Sequence, residues 1–139
     1  MRKAERYAIA FEQLKGLFPD AQTELNYDTP FQLLVAVILS AQCTDKRVNL
    51  VTPELFKRFP TAKEMSESSE EEILHYIKSI SYPNAKSRNL LKMAQRLESV
   101  YNGILPETRE ELTTLAGVGR KTANVICAVL YNQSVMPVD

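Results

Sequence analysis

Residues 115–126 read Leu-Ala-Gly-Val-Gly-Arg-Lys-Thr-Ala-Asn-Val-Ile, a tight glycine turn running straight into an apolar helix with a lysine in its first turn. Gly117 and Gly119 permit backbone conformations with positive φ and leave no Cβ atoms between the main chain and a large polyanion. The first amides of the following helix lack an intrahelical partner, so they face outward with the positive end of the helix dipole. A phosphate binds well at such a place. Lys121 sits in the same positive field, which disfavours its ammonium form and favours a nucleophilic amine. A phosphate anchor beside such an amine points to chemistry on a nucleic acid.

Outward from this turn, the segments carry helical period and helical caps, and no stretch shows sustained strand alternation. Thr29-Pro30-Phe31-Gln32 is a capping box with proline at the first helical position, opening a helix through Ala41. Because Leu33 to Leu39 are apolar without a break, that helix should be buried on all sides at the centre of the fold. Upstream, a helix is expected from about Lys3 to Phe18, ended by Pro19. Downstream, Asp45 to about Arg58 reads as a helix that Pro53 should kink or split. Thr61 and Glu64 form a second capping box for a short helix, and Ser68 caps the next, running to Ile80 with Ile73, Leu74 and Ile77 inward. The Ser81-Tyr82-Pro83-Asn84 turn precedes a long helix with Leu90, Ala94, Leu97 and Tyr101 on one face, closed by Asn102-Gly103. Thr108 and Glu111 cap another short helix, and the last runs from Gly119 to about Tyr131. The expected fold is an all-α domain of short helices.

Lysine plus arginine number 17 and so do aspartate plus glutamate, a balance that argues against a non-specific electrostatic DNA clamp. The charge is uneven along the chain, however. Acids cluster between Glu64 and Glu72, while Lys86, Arg88, Lys92 and Arg96 populate a segment free of acids from Asn84 to Leu97. Arg88, Lys92 and Arg96 share one helix face, which reads as a solvated surface. No apolar run is long enough to span a bilayer and the charged N-terminus lacks a signal-like continuation, so the expectation is a cytoplasmic protein with no membrane partner. Cys43 and Cys127 belong to no CxxC or Cys/His cluster and read as buried free thiols, with no metal site in the chain. His75 stands among apolar neighbours and reads as packing.

The string Leu115-Ala116-Gly117-Val118-Gly119-Arg120-Lys121-Thr122-Ala123 resembles the helix-hairpin-helix of the endonuclease III family of DNA glycosylases, whose usual string has Pro at the position of Ala116. The likeness extends over essentially the whole chain. It includes Thr23-Glu24-Leu25-Asn26-Tyr27, Pro30-Phe31-Gln32-Leu33-Leu34, Leu39-Ser40-Ala41-Gln42-Cys43-Thr44-Asp45, Tyr76-Ile77-Lys78 and Asn102-Gly103-Ile104-Leu105-Pro106. The resemblance implies a multi-helix bundle of the helix-hairpin-helix glycosylase type, truncated after the catalytic aspartate. Residues 1–20 would form a helix that packs with the missing C-terminal part, and 21–139 a six-helix barrel domain with the helix-hairpin-helix at 108–131. It also implies a four-cysteine 4Fe-4S cluster in the full-length parent, whose ligands this chain lacks.

The implied activity is that of a bifunctional DNA N-glycosylase and AP lyase of base excision repair, removing oxidised pyrimidines and cleaving 3′ of the abasic site by β-elimination. Its partner would be double-stranded DNA with a damaged or abasic nucleotide, its place the bacterial nucleoid, and its full-length form a monomer. Lys121 matches the family's catalytic lysine and Asp139 its catalytic aspartate. Helix arithmetic permits the pair: Lys121 to Tyr131 climbs roughly 15 Å, and the extended chain from Gln133 to Asp139 can return roughly 23 Å. Gly117, Val118, Gly119, Arg120 and Thr122 match positions at the DNA backbone.

Base extrusion leaves a gap in the stack that wedge residues fill. Gln42 resembles the family's gap-filling glutamine, and its alternative role is to cap the end of the buried helix. Tyr82 stands where the family places an apolar wedge within an Ile-Gly-Leu-Tyr-type sequence; here Ile80-Ser81-Tyr82-Pro83 puts an aromatic there, able to stack on bases or to pack in the core. Asp45 matches a pocket-lining position, and its alternative is an N-cap for the next helix. The rival function is a non-catalytic helix-hairpin-helix fragment that grips DNA through Gly117, Val118 and Gly119 and does no chemistry.

Overall fold

Threonine or serine opens five of the seven helices found in residues 25–131, the part of the chain that the computed structural model describes. In order these are α1 (Pro30–Leu39), α2 (Asp45–Arg58), α3 (Ala62–Ser66), α4 (Glu70–Ile77), α5 (Pro83–Tyr101), α6 (Arg109–Leu112) and α7 (Arg120–Leu130). No strand occurs among the described residues, and none of their helices is long and apolar enough to cross a membrane. The expected helix over Lys3–Phe18, and Asp139, lie outside the described residues.

Helix α1 is the hub. Leu33, Leu34, Val35, Ala36 and Leu39 are fully buried, as their unbroken apolar run requires, and α2, α5 and α7 all pack against them. The Thr29 hydroxyl accepts from the amide of Gln32 at 3.1 Å. The return arm of the expected capping box is displaced by one residue, for the Gln32 side chain accepts from the amide of Asp28 at 2.8 Å. The helix stops at Leu39 and not at Ala41. Ser40 closes it, its amide bonded to the Ala36 carbonyl at 2.9 Å and its hydroxyl folded back onto the Val37 carbonyl at 2.8 Å.

Three further boundaries differ from the sequence reading, each for a local reason. Pro53 does not split α2: it lies on the exposed face, and the single hydrogen bond it forfeits is outweighed by burial of Val48, Thr52 and Leu55 opposite. Ser69 and not Ser68 caps α4, accepting from the Glu72 amide at 3.2 Å, because the Ser68 hydroxyl is already donating to the Met65 carbonyl at 2.6 Å to close α3. Helix α4 ends at Ile77, and Ile80 is buried from the turn that follows. The Thr61 and Glu64 box is present, with the Glu64 carboxylate accepting from the Thr61 amide at 3.2 Å.

Helix α5 buries Leu90, Met93, Ala94 and Leu97 against α1, α3 and α4, and the left-handed pair Asn102 (φ 56°) and Gly103 (φ 79°) ends it. Arg88 and Arg96 are exposed and satisfied at the surface, Arg88 3.9 Å from Glu70 and Arg96 donating to the Thr114 hydroxyl at 3.2 Å. His75 is exposed as well. It meets the Tyr76 ring edge-on at 5.1 Å, so it is a surface residue and not the packed one its apolar neighbours suggested.

Candidate functional site

Helices α6 and α7 and the turn 113–119 form a helical hairpin seated on the hub. Gly117 has φ 82°, and a Cβ there would stand 3.1 Å from Cβ of Asn89 on α5 and 3.4 Å from Cγ2 of Ile38 on α1. Glycine is therefore required twice over, by the backbone conformation and by the close seat. Val118 is buried beneath the turn, its amide bonded to the Leu115 carbonyl at 3.1 Å. Gly119 behaves differently from expectation. Its backbone is extended at φ −92°, which any residue adopts, and a Cβ would meet nothing within 4 Å.

The first intrahelical bond of α7 joins the Ala123 amide to the Gly119 carbonyl at 2.9 Å, so the amides of residues 120–122 lie ahead of it, fronted by the open space at Gly119. That is the geometry an anion needs at a helix N-terminus. Arg120 and Lys121 are exposed there and Thr122 is partly buried.

On the other side of the same helix start, a cleft of about 390 Å³ is lined by Leu25, Val37, Ser40, Ala41, Gln42, Asp45, Lys121, Thr122 and Val125. Four residues singled out from sequence, Gln42, Asp45, Lys121 and Thr122, thus converge from three separate elements. Val37, Val125 and Leu25 supply an apolar wall. Asp45 is the first residue of α2, where a carboxylate is favoured by the helix dipole. It is not the N-cap: Thr44 is, its hydroxyl accepting from the Arg47 amide at 3.1 Å.

Gln42 (φ 56°), which lines the cleft, and Tyr82 (φ 53°), next to Ser81, are both left-handed, a conformation costing a non-glycine residue roughly 1–2 kcal/mol. The Ser81 hydroxyl donates to the Gln42 carbonyl at 2.6 Å, so the two segments are tied together. Gln42 is exposed beyond the Ser40 cap and does not cap α1. Tyr82 is 64 % exposed and is not core packing.

The sequence reading missed Lys86. It was counted only as one of the basic residues of an acid-free segment, yet it is only 6 % exposed. Its Nζ donates to the Leu39 carbonyl at 2.9 Å and also to the Ala41 carbonyl. Burial pushes its ammonium below the usual lysine range, with the neighbouring Cys43 opposing the shift. Burial acts on the Cys43 thiol in the raising direction, but hydrogen bonds from the Ser81 backbone and hydroxyl, with the Lys86 charge, hold it below its usual value. Helical register was the available signal, since Lys86 continues the buried stripe of Leu90, Met93 and Leu97 one turn further.

Cys127 is buried in α7, and its thiol is raised by that burial. Among the described residues no group of three or more His, Cys, Asp or Glu could hold a metal. The chain has only two cysteines, one in the turn after α1 and one in α7, so its own thiols do not fit a four-thiolate cluster.

Residues 35–139 match the family model described as the HhH-GPD superfamily base excision DNA repair protein. Endonuclease III of Synechocystis sp. is 48 % identical over 115 residues, covering 83 % of this chain and 52 % of that protein. Endonuclease III of Haemophilus influenzae and that of Escherichia coli K12 are each 42 % identical over 139 residues, all of this chain and 65 % of theirs. The chain therefore spans about half to two thirds of the length of these relatives. A solved trapped endonuclease III–DNA covalent intermediate superposes with a TM-score of 0.81 at 41 % identity, covering all of this chain and 65 % of that one. A thermostable thymine-DNA glycosylase superposes with a TM-score of 0.72 at 21 % identity over 94 % of this chain and 60 % of its own, a likeness of fold alone.

Proposed function

Because the chain belongs to the HhH-GPD superfamily of base excision DNA repair proteins, we propose that it carries the nucleophilic half of a bifunctional DNA N-glycosylase and AP lyase acting on oxidised pyrimidines in duplex DNA. The observation that carries this reading is the convergence of Lys121, Asp45 and Gln42 on one cleft, next to a helix N-terminus kept open by Gly119. The hairpin would hold a phosphate through the amides ahead of Ala123, with Gly117 and Val118 shaping the turn and Arg120 and Thr122 beside it. That anchor would present an extruded nucleotide to the cleft.

In the proposed reaction the neutral Lys121 amine forms a bond to the sugar C1′, and the base leaves with the electron pair of the glycosidic bond. Ring opening gives a Schiff base, and loss of a C2′ proton expels the 3′ phosphate by β-elimination. A covalent step of this kind agrees with the solved relative described as a trapped covalent intermediate with DNA. Asp139, outside the described residues, would stabilise charge developing on the sugar. Asp45 would face the pocket contents, while Gln42 and Tyr82 would fill the vacated stack. On the same reading 21–139 form the six-helix barrel domain, and residues 1–20 pack with a C-terminal part that bears the 4Fe-4S cluster.

Borohydride trapping on duplex DNA with an abasic site tests the proposal. A covalent adduct abolished by Lys121→Gln is the expected result. DNA binding without an adduct would instead support the rival reading, a hairpin that grips DNA and does no chemistry.

A further inference from the structure

Lys86 is a cation in an unusual place. Its residue lies in the first turn of α5, where a positive charge is disfavoured by the helix dipole, and inside a stripe where leucine or methionine would avoid the cost of desolvation. What it does there is specific. The last carbonyl of a helix needs a partner from beyond it, and the Lys86 ammonium reaches across 47 positions of sequence to bind that of Leu39, and on to that of Ala41. It thereby serves as a C-terminal cap delivered from another helix, with its charge at the favourable end of the α1 dipole.

The turn it grips leads directly into Gln42, and the helix it comes from is preceded by its N-cap Tyr82, and both of these residues are exposed and left-handed. Ser81 closes the same loop from outside through its bond to the Gln42 carbonyl. Two strained residues persist side by side only when their surroundings over-determine them. Around Gln42 the Lys86 and Ser81 side chains bind the carbonyls of Leu39, Ala41 and Gln42 itself.

We propose that Lys86 is a positioning residue whose ammonium locks the 40–43 turn to the start of α5, so that Gln42 and Tyr82 stand as a pre-set wedge for an opened duplex. This rests on the function proposed above, and it goes beyond it by assigning the wedge geometry to a buried side chain that touches neither DNA nor the reacting atoms. Lys86→Met keeps the apolar stem and removes the cap; Lys86→Arg keeps a donor for the carbonyls.

The discriminating measurement is borohydride trapping on an abasic site in duplex against the same site in a single strand, where no stack has to be opened. Lys86→Met is expected to lose duplex trapping about tenfold or more, the scale set by relaxing one strained residue, while retaining single-strand trapping, and Lys86→Arg to restore most of the loss. Equal losses on both substrates, or no loss on either, would overturn the proposal. The fluorescence of 2-aminopurine placed opposite the abasic site reports unstacking independently. It should rise with the wild-type chain and not with Lys86→Met. A wild-type chain that unstacks the duplex but forms no adduct sinks the lyase reading and leaves the Lys86 proposal standing. Should Lys86→Met fail to fold, Ser81→Ala removes the outer tie without emptying any core. It should show the same duplex-selective loss, and trapping equal to wild type on both substrates would count against the proposal.

Discussion

The two hairpin glycines should respond in opposite ways to the same added methyl group. In Gly117→Ala, alanine is forced to φ 82° and its Cβ stands 3.1 Å from Asn89 Cβ and 3.4 Å from Ile38 Cγ2. The left-handed conformation costs about 1–2 kcal/mol, and pushing a methyl into two packed neighbours costs about 1–3 kcal/mol more. The less flexible unfolded chain returns about 0.4–1 kcal/mol. The expected loss is therefore about 1–5 kcal/mol of folding stability. In Gly119→Ala the backbone is already extended and the new atom meets nothing. The poorer N-cap costs about 0.5–1 kcal/mol, which the unfolded-state gain of about 0.4–1 kcal/mol cancels. Urea unfolding followed by circular dichroism should place Gly119→Ala within about 0.5 kcal/mol of the parent chain. In fluorescence anisotropy with an abasic duplex, however, it should bind at least about tenfold more weakly, because its Cβ occupies the approach to the amides ahead of Ala123. A stable Gly117→Ala would refute the steric account of the turn. Unchanged DNA affinity in Gly119→Ala would refute the anion site.

Leu34→Ala in α1 should cost about 2–5 kcal/mol in the same unfolding assay, since Leu34 is fully buried at the hub; a loss under about 1 kcal/mol would mean that the helix is not the centre of the core. Burial, with Glu107 nearby, raises the Tyr131 phenol to about 12. That lies above the unfolded value of about 10, so its contribution is complete below that unfolded value and is lost as pH climbs toward the folded one. Discounted for partial solvent exposure, the loss should be on the order of 1–2 kcal/mol. Comparing the alkaline fall in urea midpoint between the parent and Tyr131→Phe isolates it, and identical falls would refute the burial effect.

How much was legible in sequence depends on how local the signal was. Helix starts are short-range events, so Thr29 and the Thr61 and Glu64 box were readable, and the apolar run Leu33–Leu39 announced its own burial. Choices between adjacent serines were not. Whether Ser68 or Ser69 caps α4 depends on which hydroxyl is already bound to Met65. That Pro53 would leave α2 in one piece was not legible either, because the rule for proline counts the lost hydrogen bond and not the apolar face that outweighs it. At the candidate site, the family resemblance singled out Lys121 in one segment and Gln42 and Asp45 in another, and the fold gathers all three into one cleft. The role of Lys86 was invisible as composition, because its partners are carbonyls 45 and 47 positions away, and carbonyls carry no sequence signature.

The seat of Gly117 against Ile38 has a consequence for the proposed function that concerns DNA more than protein. The hairpin rests on the last turn of α1, four residues before Gln42, so the proposed phosphate anchor and wedge are mounted together on one buried helix end. A helix end buried in the core is a fixed gauge. A duplex engaging both would have to bend to their spacing, and the elastic cost would fall on the nucleic acid. Selection would then begin before any base enters the cleft, favouring sites where damage has already weakened stacking and made the helix easy to deform.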